Sequence, residues 1–237
     1  MAGVVVKNKE ATIVDLSRNK LTTLSDPSLF HGMTALTALV LFDNQFAELE
    51  ADQFAGLTAL TFLSLSDNQL TVLWGTQFYG LTALTDLDLN DNLMADLDAA
   101  LFNGLTALTE LSLFNNLITE LKGSQFVNLT ALTKLDLDNN QIRELNPNVF
   151  VSLTSLTTLH LSKNHLAAID GPTFSPLADT ITQLFVADNH ILRIDAVLVE
   201  IYRNNSRFVL TMASLATLSH PSCRESARGL GRNGSVP

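Results

Sequence analysis

The chain has 237 residues, 46% of them hydrophobic, with a single cysteine and a formal net charge of −10. That charge argues against nucleic acid, whose binding surfaces are basic, and for neutral or cationic partners reached partly by electrostatic steering. No run approaches about 18 consecutive apolar residues, so no membrane span is predicted, and the lone Cys223 has no internal disulfide partner.

Residues 1–10, MAGVVVKNKE, lack the charged start and long apolar run of a secretory signal peptide. Val4 and Val6 are placed to add a short edge strand over whatever begins after them. The first repeating unit is degenerate, with Val14, Leu16, Asn19 and Leu21. From residue 33 the pattern sharpens into leucine-x-x-leucine-x-leucine-x-x-asparagine, best formed at Leu84–Asn92, LTDLDLNDN. Its asparagine recurs at 19, 44, 68, 92, 116, 140, 164 and 189, in steps of 24 or 25 residues. A fixed period of that size predicts a stack of like units with one continuous core and no internal domain boundary.

Within each unit the first, fourth and sixth positions are aliphatic and predicted to be buried. The residues between them alternate outward on a short strand. Strands of successive units pair in parallel, about 4.7–4.9 Å apart. The asparagine stands where the strand ends, and its carboxamide both donates and accepts hydrogen bonds. Phenylalanines follow at 30, 54, 78, 102, 126, 150 and 174, one per unit, forming a column on the returning segment. The unit of Asn189 has one extra residue, in the lead-in LADTIT. Beyond it Val199 and Tyr202 take the phenylalanine and leucine slots, and Phe208, Leu210, Leu215 and Leu218 fit a worn ninth unit with Ala213 in the asparagine slot. The last stretch, 219–237, reads as a flexible tail or a truncated cap.

Residues 11–218 resemble a leucine-rich repeat protein of the 24-residue, phenylalanine-containing subclass, similar to Toll-like receptor and variable lymphocyte receptor ectodomains. The resemblance implies a right-handed α/β solenoid, a horseshoe with a parallel concave β-sheet and a mostly irregular convex side. It also implies extracellular or cell-surface recognition of a partner on the concave face. His220-Pro221-Ser222-Cys223 is similar to the opening of the family's C-terminal cap, but the other cap cysteines are missing. So is an N-terminal cysteine-rich cap, and the first residues read either as the start of a fragment or as a cap without disulfides.

On the concave face, the second position is threonine from Thr37 to Thr182, a uniform column read as structural. Variation lies in the third, fifth and seventh positions. Val40, Phe42 and Phe62 make an apolar patch toward the N-terminal end. Asp86, Asp88, Asp91, Glu110, Asp136 and Asp138 make an acidic one at the centre, with Phe114 among them. Aromatics beside charge are the stuff of interface hot spots, so these ten residues form the candidate surface for a protein partner with a basic face. The alternative is a structural or adhesion spacer without a dedicated ligand site, with a regulatory segment of a larger enzyme a distant third.

No catalytic site, cofactor or metal is predicted. Asp86-x-Asp88-x-Asn90 and Asp136-x-Asp138-x-Asn140 begin like calcium loops but lack the required glycine and glutamate further on. Gly229-x-Gly231-x-x-Gly234 follows no strand and opens no helix. His160, His165 and His190 are read as surface polar residues without a carboxylate partner to complete a metal site, and Trp74 as packed on the convex side. Sequons at Asn128, Asn204 and Asn233 add little.

Overall fold

The computed structural model describes residues 9–24, 26, 28–196, 201 and 208–212. Nine three-residue strands form one parallel sheet: β1 Ile13–Asp15, β2 Ala38–Val40, β3 Phe62–Ser64, β4 Asp86–Asp88, β5 Glu110–Ser112, β6 Lys134–Asp136, β7 Thr158–His160, β9 Gln183–Phe185 and β11 Val209–Thr211. Each pairs with its counterpart one unit away, as in Leu63 beside Leu87 and Leu87 beside Leu111. A second, two-stranded sheet joins β8 (Ala168–Ile169) to β10 (Arg193–Ile194). The result is a right-handed solenoid with a concave parallel sheet and little helix. The proposed edge strand at Val4 and Val6, the slots of Val199 and Tyr202, and Ala213, Leu215, Leu218 and the tail lie outside the described residues. Among the described residues no helix is long and apolar enough to cross a membrane.

The core follows from the period. Leu84, Leu87 and Leu89 are buried, as are their equivalents in the neighbouring units, and every phenylalanine of the 24-residue column is buried. Their rings stack in pairs, with centroids 6.3 Å apart for Phe54–Phe78 and 6.0 Å for Phe102–Phe126. Each unit therefore closes its apolar interior against the next, the arrangement that makes a solenoid's stability a sum over neighbouring interfaces.

Polar side chains fasten the units. The Asn92 carboxamide donates to the carbonyls of Leu65, Leu89 and Asn90 and accepts from the backbone N–H of Leu70. Its counterparts at 68, 116, 140 and 164 repeat that set. The threonine column is structural, as its uniformity implied. Each hydroxyl donates to the threonine carbonyl one unit earlier, for example Thr85 Oγ1 to Thr61 O at 2.9 Å. On the convex side Gln77 and Gln125 reach back to the carbonyls of Glu50 and Asp98.

The turn before each asparagine needs a residue with positive φ. Asp43, Asp67, Asp91, Asn115 and Asn139 occupy it with φ of 51–55°, a region that Asn and Asp tolerate better than most side chains. The extra residue of the Asn189 unit is absorbed just before β9. Elsewhere the leading leucine donates three residues back, as from Leu156 N to Leu153 O. Here Ile181 N reaches four residues back to Leu177 O. The wider turn takes up the insertion and leaves the sheet in register.

Candidate functional site

Because strand side chains alternate across a sheet, the third and fifth positions of β3–β6 must emerge on the open concave side. They enclose a shallow hollow of about 380 Å³ lined by Phe62, Asp86, Asp88, Asn90, Glu110, Ser112, Phe114, Lys134 and Asp136 together with two core leucines. Six of the ten sequence-predicted residues meet there: Phe62, Asp86, Asp88, Glu110, Phe114 and Asp136. The two phenylalanines come from units two apart and share the lining with the carboxylates.

The other four stand elsewhere. Val40 and Phe42 are half-buried toward the N-terminal end, and the Arg18 guanidinium lies 5.3 Å from the Phe42 ring centre. That ring already has a cation from its own chain. Asp91 sits in the positive-φ turn, where its two carboxylate oxygens accept from Asn90 and Asn115, and Asn139 continues this chain of contacts onto Asn115. Asp138 faces His160 instead, with Oδ2 at 3.4 Å from Nδ1.

The hollow is not uniformly acidic. Lys134 Nζ approaches Glu110 Oε2 at 3.7 Å, and both side chains are exposed. β5 and β6 place the two residues directly opposite each other, so the sequence columns already held this pairing. Ser64 and Ser66, at variable concave positions, are buried; their hydroxyls are 3.1 Å apart, and Ser64 donates to Asp88. Small side chains there are sheltered by larger neighbours, which alternation alone does not reveal.

Two of the acids are electrostatically distinctive. Burial pushes the Asp88 carboxyl up, against the opposing hydrogen bonds from the Asn90 backbone and from Ser66 and Ser64, with Asp91 adding repulsion. Asp136 is likewise raised by burial, and Asp138 reinforces the shift while the Asp138 backbone N–H, His160 and Lys134 oppose it. Partly desolvated carboxylates of this kind favour a cation or a hydrogen-bond donor brought to them.

Two expectations are corrected. His160 does have carboxylate neighbours: Asp136 and Asp138 each bring an oxygen within 4.8 Å of an imidazole nitrogen and of each other. Asp136 and His160 are register partners on β6 and β7, the signal that would have joined them. Trp74 lies outside the strands as expected, but it is 57% exposed rather than packed. It lines a second shallow depression with Val72, Asp96, Asp98 and Lys122. His165 and His190 are exposed, with ring centres 5.4 Å apart.

The sequence profile of the family described as Leucine rich repeat matches residues 9–70, 63–118 and 107–166. The chain belongs to the leucine-rich repeat family. Among solved structures this repeat chain is similar to one from the Toll–Spatzle complex of Drosophila in its glycosylated form. The TM-score is 0.68 at 27% identity, covering 84% of this chain and 30% of that one. It is also similar to one from the TLR13–ssRNA13 complex, with TM-score 0.65 and 24% identity, over 76% of this chain and 32% of that one. The leucine-rich repeat chain thus spans about a third of the length of these structural relatives. No curated protein matches it in sequence.

Proposed function

We propose that this repeat array is a non-catalytic protein-binding module whose concave hollow receives a cationic segment of a partner, in an extracellular or cell-surface setting. The observation that carries the reading is the gathering of Asp86, Asp88, Glu110 and Asp136 with the rings of Phe62 and Phe114 in one hollow. A guanidinium entering there finds carboxylates for its N–H groups and aromatic rings beside them, a combination that favours arginine. Phe62 is 38% exposed although it is a large apolar side chain on a soluble face, as interface anchors are. An open hollow on one sheet lacks the depth of an enzyme pocket. Nucleic acid is disfavoured, because its phosphates would face these carboxylates.

The likeness to a chain of the Toll–Spatzle complex supports recognition of another protein on a repeat array, and the glycosylated form of that complex supports the compartment. The test is titration of the full chain with a fluorescent oligoarginine peptide. Binding is expected to weaken on Phe62→Ala, Phe114→Ala and Asp86→Asn, and to fall as salt screens the charges. Asp52→Asn on the convex side makes the same change in net charge away from the hollow and serves as the control. Equal weakening by Asp52→Asn, or none from the phenylalanine substitutions, would leave only unspecific attraction and favour the spacer reading.

A further inference from the structure

We infer that Asp136, Asp138 and His160 form a binding site for a divalent transition-metal ion of the zinc class, on the concave face beside the hollow. This goes beyond the partner surface proposed above and does not rest on it, since the ion can be measured with no partner present.

The geometry carries the assignment. One donor atom from each of the three side chains lies within 4.8 Å of the other two. With bonds of about 2.0–2.1 Å, two ligand atoms of a tetrahedral zinc site stand about 3.3 Å apart. His160 Nδ1 and Asp138 Oδ2 are separated by 3.4 Å, so an ion fits between them with little movement.

Each ligand is also held from behind. Asp138 Oδ1 accepts from the Ser162 backbone N–H, which leaves Oδ2 for the ion. Asp136 Oδ1 accepts from the Asp138 backbone N–H at 3.0 Å. The His160 ring lies flat against Phe185, with centroids 4.4 Å apart and planes 18° from parallel. Such outer contacts fix ligand direction in built metal sites.

Charge points the same way. Even a protonated imidazole balances one of the two carboxylates, and Lys134, which also acts on Asp136, is shared with Glu110 at 3.7 Å. A dication balances both. The donor set selects the ion: an imidazole nitrogen with two carboxylates suits zinc, cobalt, nickel or copper, whereas calcium takes six to eight oxygens. Three protein ligands on an open sheet leave a coordination position for water or for a donor from another molecule.

The experiment is a cobalt(II) titration of the chelator-stripped full chain, read by visible absorption and followed by displacement with zinc(II) in a calorimeter. One ion per chain is expected, with affinity reduced at least about tenfold in His160→Gln and in Asp138→Asn. His165→Gln/His190→Gln removes the rival histidine pair and is expected to bind as the parent does. Absence of saturable binding, binding retained in His160→Gln, or binding lost in the His165/His190 variant each overturns the assignment. Circular dichroism checks each fold; should His160→Gln or Asp138→Asn fail it, Asp136→Asn gives the same reading.

Discussion

Asn92 is tied to Leu65, a full unit behind it, by a hydrogen bond of 3.0 Å from its side-chain nitrogen to the leucine carbonyl. The same carboxamide serves the turn of its own unit, so one buried side chain links two coils. Asn92→Ala leaves the buried Leu70 N–H without its partner and takes one of two donors from the Leu65 and Leu89 carbonyls, which keep Asn68 and Asn116; a loss of about 1–3 kcal/mol is expected. The Asn19 carboxamide, in the first described unit, donates among the described residues to the Leu16 and Ser17 carbonyls of its own turn, and the residue is exposed. Asn19→Ala is expected to cost less than Asn92→Ala, and denaturant midpoints of the two variants check the order.

The phenylalanine column makes a second prediction. Phe102 is fully buried and stacked on Phe126, so Phe102→Ala is expected to cost about 3–5 kcal/mol. Tyr79 is 79% exposed on the convex side, and Tyr79→Ala is expected to stay within about 0.5 kcal/mol. Thermal unfolding separates the two; comparable losses would mean that the column is not the core.

Just before the lead-ins at 33, 57, 81, 105 and 129 the backbone again takes positive φ. Gly104 has φ of 88° and Asn128, its equivalent one unit on, 67°. A Cβ at Gly104 meets no atom within 4 Å, so only the backbone opposes Gly104→Ala, at about 1–2 kcal/mol. Asn128→Gly relaxes the same conformation and is expected to be neutral or mildly stabilising. Opposite signs in melting temperature confirm the account.

Asp88 gives a pH prediction. Its folded-state pKa is raised, chiefly by burial, so the folded chain holds its proton more tightly than the unfolded chain. Its contribution to stability is therefore unfavourable at neutral pH, and the penalty fades as pH falls through the raised value toward the ordinary carboxylate range. The groups around it are Ser64, Ser66, Asn90 and Asp91. Asp88→Asn is expected to melt above the parent at pH 7, with the difference shrinking toward pH 4. A difference independent of pH would sink the electrostatic account.

The period by itself determined the fold. A 24-residue frame with fixed aliphatic slots can bury them only by stacking in phase, and that alone places Leu87, Phe102 and Asn92 inside and Asp86, Glu110 and Phe62 outside. Register follows too, because a parallel sheet sets each residue beside its counterpart one unit on, which makes the pairing of Glu110 with Lys134 and of Asp136 with His160 readable from the columns. Tertiary structure decided what depends on side-chain reach and relative size. It turned Asp138 onto His160, set Arg18 over Phe42, sank Ser64 and Ser66 below their neighbours and left Trp74 in the open. These outcomes depend on rotamers and on the bulk of adjoining side chains, which vary within a column while the repeat stays the same.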